Sequence, residues 1–236
     1  LGYGFRSRTF DFNVNLYSTT WTDRYFYVDV EINDEEGEGF FPGLEQIHKG
    51  IEFDGVWQLS PFVELSGMFT IGDYTYAGDV TDNAVTANES NVSLGSATLY
   101  LENAKVGDTA HTTAYLDLTV RPSDRFKFNL DLFHADKLYG DIDHETFSSP
   151  EGATNMRMPS YEIFGAGASY RFPMGKDYVY LRLNVNNLFD EEYYQESATN
   201  HGVDYREGNT YKGINVRNKV IPGWGRTWNL GLTYRF

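Results

Sequence analysis

Cysteine is absent from all 236 residues, which removes disulfide frameworks, thiol nucleophiles and thiolate metal sites at once. Positive charge is scarce. Only 19 lysines and arginines stand against 34 aspartates and glutamates, and a net charge of −15 would repel nucleic acid over most of the surface. Long apolar runs are missing too: no stretch approaches the roughly 18 to 20 residues of a membrane helix. The opening LGYGFRSRTF has no basic segment followed by an apolar one, so it is not read as a signal peptide. Catalytic and cofactor fingerprints fail likewise. No GxSxG, P-loop or dinucleotide pattern occurs, and the five histidines, His48, His111, His134, His144 and His201, form no HExxH or other close pair.

What the chain has in quantity is ring surface, with 18 Tyr and 17 Phe, yet its mean hydropathy is below zero. Period-2 alternation reconciles the two. In TFDFNVNLY, Phe10, Phe12, Val14 and Leu16 alternate with Asp11, Asn13 and Asn15. In RFKFNLDL, Phe126, Phe128, Leu130 and Leu132 alternate with Lys127, Asn129 and Asp131. LRLNVN sets Leu181, Leu183 and Val185 opposite Arg182, Asn184 and Asn186. At the end, Trp228, Leu230, Leu232, Tyr234 and Phe236 face away from Asn229, Gly231, Thr233 and Arg235. Each such strand has one apolar and one wet face.

The pattern predicts about nine strands, near 2–7, 9–28, 47–58, 62–77, 107–121, 125–139, 160–172, 178–189 and 225–236. Short connections with turn residues sit at Ser7-Arg8, Leu59-Ser60-Pro61, Pro122-Ser123-Asp124 and 173–177, and long ones span about 30–46, 78–106, 140–159 and 190–224. A soluble β-sandwich also alternates. Its strands, however, average about 5 or 6 residues, and its loops are seldom long at one end only. Tight turns at one end and long loops at the other are the pattern of an antiparallel transmembrane β-barrel, in which half of every strand is wet.

On these residues the chain resembles the TonB-dependent outer-membrane receptors. Asn186-Asn187-Leu188-Phe189-Asp190 followed by Tyr193-Tyr194 is similar to the NLFD..Y signature near the family's C-terminus, and GAGASYRF and the terminal WNLGLTYRF are similar to its closing strands. Upstream, LGYGFRSRTFDFNVNLYSTTW, GIEFDGVWQL, IGDYTY and KVGDTAHTTAYLDL resemble barrel segments of Bacteroidetes-type receptors. The resemblance implies a barrel of about 22 strands closed around a plug. Residues 1–236 are then expected to be its C-terminal portion, without the plug domain and the N-terminal strands. It implies a non-enzymatic importer of a scarce ligand (iron chelate, cobalamin, glycan or peptide) in the bacterial outer membrane, with the loops extracellular. Expected partners are outer-membrane lipid, TonB through the missing N-terminal region, the barrel-assembly machinery, and surface lipoproteins or other subunits. No cofactor or nucleic-acid partner is expected.

Within that frame, Asn186 to Asp190 read as the turn leaving the penultimate strand, with Phe189, Tyr193 and Tyr194 as interfacial rings. Trp228, Leu230, Leu232, Tyr234 and Phe236 read as a lipid-facing stripe that also serves as the assembly signal. Acidic runs occur at Asp34, Glu35, Glu36 and Glu38, at Asp141, Asp143 and Glu145, and at Asp190, Glu191 and Glu192. Solvated loop charge explains them; Asp141, Asp143 and Glu145 additionally have oxygen ligands at calcium-like spacing. Loop tyrosines Tyr139, Tyr205 and Tyr211, with Tyr74 and Tyr76, are the ligand-stacking candidates. Two alternatives stand beside the receptor: a self-contained porin or adhesin barrel, and a structural barrel subunit of a larger surface complex. The enzyme alternative is an outer-membrane protease using Asp143 and His144.

Overall fold

The computed structural model describes residues 1–236 except 89, 91, 152 and 154, so those points of the expected loops lie outside the described residues. In chain order its strands are β1 (Gly2–Arg6), β2 (Phe10–Ile32), β3 (Glu35–Ser60), β4 (Val63–Tyr76), β5 (Val80–Ala87), β6 (Ser93–Leu99), β7 (Thr112–Ser123) and β8 (Phe126–Asp136). A one-turn helix α1 (His144–Phe147) precedes β9 (Tyr161–Met174) and β10 (Asp177–Asn186). The short strands β11 (Tyr194–Ser197), β12 (Thr210–Tyr211), β13 (Ile214–Asn215) and β14 (Val220–Pro222) lead to β15 (Thr227–Arg235). No described helix is long and apolar enough to cross a membrane, which says nothing of strands.

Nine strands pair antiparallel in chain order, β1-β2-β3-β4-β7-β8-β9-β10-β15, into one open wall whose outermost members each pair on a single side. Register makes its two faces chemically distinct. One row across the sheet reads Phe10, Trp57, Leu65, Leu118, Leu130, Ala166, Val185 and Trp228. The adjacent row on the other face reads Gln58, Glu64, Thr119, Asn129, Gly167, Asn184 and Asn229. A slip of one residue would exchange the two sets, so the pattern fixes the register. Much of the apolar face is bare: Trp57, Leu130, Leu183 and Leu230 are exposed and Trp228 is 69 % exposed, while Phe10, Leu65, Leu118, Ala166 and Val185 are half-buried. A continuous apolar band on this scale requires an apolar neighbour. Tight two-residue turns join the strands at 61–62, 124–125 and 175–176.

The opposite end departs from expectation. The expected loop at 30–46 is a hairpin: β2 and β3 run on, paired from Arg24 with Leu44 to Ile32 with Glu35, and turn at Asn33-Asp34, whose φ angles of 54° and 64° suit a two-residue primed turn. Bulges interrupt the alternation, with Asp23 at φ 56° and Gly43 at φ 76°. Beyond them Val28, Val30, Phe41 and Leu44 bury themselves against Val85, Leu99, Ile142 and Phe147. The segment expected as loop 78–106 therefore contains β5, which pairs with β3, and β6, which pairs with β5. The strand expected at 107–121 begins only at Thr112, and that expected to reach 189 stops at Asn186. The long connections thus form a second, packed core above the wall.

Candidate functional site

On the polar face, at the loop end, five rings from distant parts of the chain form a column. Trp21 on β2 meets His48 on β3 edge-on at 6.4 Å, and His48 stacks on its register partner Tyr74 of β4 at 4.4 Å with 18° between planes. Tyr74 lies 4.5 Å from His111, which lies 5.0 Å from Tyr139. Close backbone approach makes this possible. A Cβ at Gly50 would collide with the Tyr17 hydroxyl, and one at Gly72 with the Tyr74 ring. Without them Tyr17 crosses β3 and its hydroxyl meets that of Tyr74 at 2.7 Å.

The two histidines differ. His111 is 1 % exposed; its Nε2 lies 3.0 Å from the Val106 carbonyl and its Nδ1 accepts from the Tyr74 amide at 3.4 Å. Those partners require the neutral Nε2–H tautomer, and burial lowers its pKa in the same sense. His111 therefore positions Tyr74 and Tyr139. His48 hydrogen-bonds only Gln46 Oε1, through Nε2 at 3.3 Å, so its Nδ1 has no hydrogen-bond partner among the described residues. The column can stack on a flat or ring-shaped ligand and offer a phenol and an imidazole nitrogen. Among the described residues no group of three or more His, Asp or Glu is placed to hold a metal ion.

The three carboxylates at calcium-like spacing, Asp141, Asp143 and Glu145, each have protein partners. Asp143 caps α1, accepting from the Thr146 amide at 2.7 Å, and its other oxygen takes Asn200 Nδ2 at 2.8 Å. Asp141 Oδ1 accepts from the Ile142 amide at 2.8 Å, and Glu145 lies 4.0 Å from Arg217. These carboxylates hold the loop fold, and the Asp143 and His144 of the protease alternative are a helix cap and its neighbour. Tyr74 and Tyr76 are strand residues rather than loop residues, and Tyr76 is core. Of the tyrosine candidates, Tyr139 joins the ring column. Tyr205 is 92 % exposed, and Tyr211 donates from its hydroxyl to Glu192 at 3.1 Å. No ring contact brings these three together among the described residues.

The Asn186 to Tyr194 segment is a turn tied down at both ends. Asn187, at φ 50°, accepts from the Glu191 amide and donates to the Glu191 and Trp224 carbonyls. Asp190 accepts from the Arg226 amide at 2.7 Å. The Leu188 amide donates to Phe164, and Phe189 packs edge-on against the Phe164 ring at 5.2 Å. The Tyr193 ring packs tilted against Tyr161 at 4.4 Å, and Tyr194 opens β11. Trp228, Leu230, Leu232 and Tyr234 pair with Val185, Leu183, Leu181 and Val179, and Phe236 follows as the chain's last residue. Sequence reasoning missed Trp21, His48 and His111 as a group. Only the register, which sets Thr19 beside His48 and His48 beside Tyr74, could have assembled them.

A family model described as TonB dependent receptor-like, beta-barrel matches residues 1–188. No curated protein matches the sequence. Among solved structures, the siderophore receptor PiuA from Acinetobacter baumannii aligns with a TM-score of 0.60 at 17 % identity, over 99 % of this chain and 27 % of that one. The copper transporter OprC aligns at 0.62 and 14 %, over 100 % and 30 %. The FrpB iron transporter from Neisseria meningitidis aligns at 0.56 and 16 %, over 98 % and 30 %. The chain spans less than a third of each, and at these identities the likeness is one of fold. The Bacteroidetes affiliation suggested by sequence is not carried by these matches. With the matched model covering most of a nine-stranded wall of the expected polarity, the chain belongs to the TonB-dependent receptor β-barrel family, a family of outer-membrane receptors.

Proposed function

We propose that residues 1–236 form the C-terminal part of the barrel wall of an outer-membrane importer that takes up a scarce ligand with energy from TonB. The observation that carries this reading is the two-faced register: an apolar row on one face of all the long strands and an amide and carboxylate row on the other. Lipid covers the first and an aqueous lumen the second. Further strands complete the open edges at β1 and β15, and a plug fills the lumen. The packed loop end faces the exterior, and the terminal strand with Trp228, Leu230, Leu232, Tyr234 and Phe236 is the segment the assembly machinery reads. The column of Trp21, His48, Tyr74, His111 and Tyr139 lies on the lumenal side of the outer rim, where it stacks on incoming cargo.

Cargo accumulation tests this directly. Cells carrying the receptor are offered radiolabelled iron as catecholate and hydroxamate chelates, and labelled cobalamin, oligosaccharide and peptide, with and without TonB. One cargo class should accumulate only when TonB is present, and Trp21→Ala with His48→Ala should weaken its binding. Uptake indifferent to TonB for every cargo would overturn the reading.

A further inference from the structure

The apolar face ends outward in charge. Followed two residues at a time away from the tight turns, it runs through Phe53 and Ile51 to Lys49 on β3 and through Phe69 and Ile71 to Asp73 on β4, and register sets Lys49 beside Asp73. On β8 the same face passes Leu130 and Leu132 to reach His134 and Asp136. Lys49, Asp73 and Asp136 each stand about 11 residues along their strands from the tight turns, roughly the 9 to 11 residues of strand that cross a bilayer. The charges therefore form one belt at the outer edge of the apolar band. Lys105 Nζ pairs there with Asp73 at 2.5 Å, Arg157 with Asp136 at 2.7 Å and His134 with Glu162 at 2.8 Å, while Lys49 and Lys137 make no ion pair among the described residues. The Lys137 charge nonetheless acts on Asp73. Three of the chain's seven lysines thus gather around one carboxylate in a protein of net charge −15.

Parts of the receptor beyond this chain do not cover the belt. β3, β4, β7 and β8 each have a neighbouring strand on both sides, and a plug lies behind the opposite face. Ammonium groups on long apolar stems suit the level where acyl chains give way to headgroups, because the stem stays in the apolar layer while the charge reaches the polar one. Phosphate is the anion that lipid offers there, and lysine binds it as a point charge. We propose that this belt binds phosphate groups of outer-leaflet lipid, with Lys49, Lys105 and Lys137 as the donors and Asp73 holding Lys105 in place. The inference rests on the reading that the apolar face meets lipid. A neighbouring protein and free phosphate are the competing occupants.

Detergent-purified full-length receptor is titrated with lipid A carrying both phosphates and with the same lipid dephosphorylated, and bound lipid is counted by native mass spectrometry. The phosphorylated form should bind more tightly, and each of Lys49→Gln, Lys105→Gln and Lys137→Gln should weaken it by about fivefold. Asp73→Asn releases the Lys105 ammonium and should tighten it, a gain that a misfolded variant does not give. Arg125→Gln with Lys176→Gln removes charge at the tight turns and should change nothing. Equal affinity for the two lipids, an equal loss from the turn variant, or displacement of the lipid by equimolar inorganic phosphate would overturn the proposal. In outer membranes, benzoylphenylalanine in place of Ser18, the register partner of Lys49, should crosslink to phosphorylated lipid, and crosslinking to protein alone would overturn it too. Benzoylphenylalanine in place of Leu130 should capture acyl chains whatever their headgroup. Failure at Leu130 would remove the lipid-facing reading itself, whereas capture there with equal affinity for the two lipids would remove phosphate recognition alone.

Discussion

Asn187 and Trp224 share a hydrogen bond across 37 residues, the Asn187 Nδ2 donating to the Trp224 carbonyl at 3.1 Å. The same side chain, 3 % exposed, brackets Glu191 with two further bonds of 2.8 Å. One residue thus fixes the exit of β10 against the approach to β15. Asn187→Ala removes three part-buried hydrogen bonds to the backbone and places alanine at positive φ, so it should destabilise the folded barrel by about 2 to 3 kcal/mol. Asn187→Gly, free of the backbone strain, should lose less. The urea midpoint of the heat-modifiable gel band measures both, and an unchanged midpoint for Asn187→Ala would remove the stapling role.

The two faces predict opposite tolerance to charge. Arginine at Leu130 or Leu183 should cost about 2 to 4 kcal/mol at mid-bilayer and lower the fraction of folded, heat-modifiable protein in membranes. Arginine at Asn129 or Asn184, one residue away, meets the polar face and should be accepted. Equal tolerance at both pairs would overturn the assignment of the faces.

The strands that could be read from sequence are those in which alternation runs unbroken, as in Phe126 to Leu132 or Leu181 to Asn186. The hairpin above the wall was hidden because bulges at Asp23 and Gly43 shift its alternation, and its apolar side is split between Val28 and Val30 on one strand and Phe41 and Leu44 on the other. Its turn signal, Asn33-Asp34, merges with an acidic run that reads as solvated loop. The ring column has no sequence signature at all, since Trp21, His48, Tyr74 and His111 meet only through register and a returning loop. The capping role of Asp143 was equally illegible, because acidic spacing alone does not show that its oxygens accept from the Thr146 amide and hydroxyl.

Close approach at Gly50 couples Tyr17 to Tyr74. A methyl group there meets the Tyr17 hydroxyl and lies 2.6 Å from the Ile71 carbonyl. Gly50→Ala should therefore destabilise by about 1 to 3 kcal/mol through overpacking, and Tyr17→Phe by only about 1 kcal/mol through the lost hydroxyl pair. Tyr17→Ala removes the phenol struck by the new methyl and leaves only the Ile71 carbonyl clash, so the double variant should be more stable than the sum of the single losses. Strict additivity in urea unfolding would show that the two residues do not communicate.

Three connecting segments meet around Asp108, Asp141 and Glu196. The Asp141 amide donates to the Ser197 carbonyl at 2.8 Å, and Asp108 is pushed up to about 6, first by loss of hydration and then by the charges of Asp141 and Glu196. Burial raises the Asp141 carboxyl as well. Because the folded state holds the Asp108 proton more tightly than an unfolded chain with the ordinary value of 3.8, this contribution is fully present below about pH 4 and is lost as pH rises through about 6. Hydrogen exchange at the Asp141 amide, corrected for intrinsic rate, should be slower at pH 5 than at pH 7.5. Asp108→Asn stays neutral and retains a donor toward Asp141, so its protection should be the same at both pH values and should exceed that of the parent at pH 7.5. A parent protein with equal protection at the two pH values would show that the loops do not sense this proton.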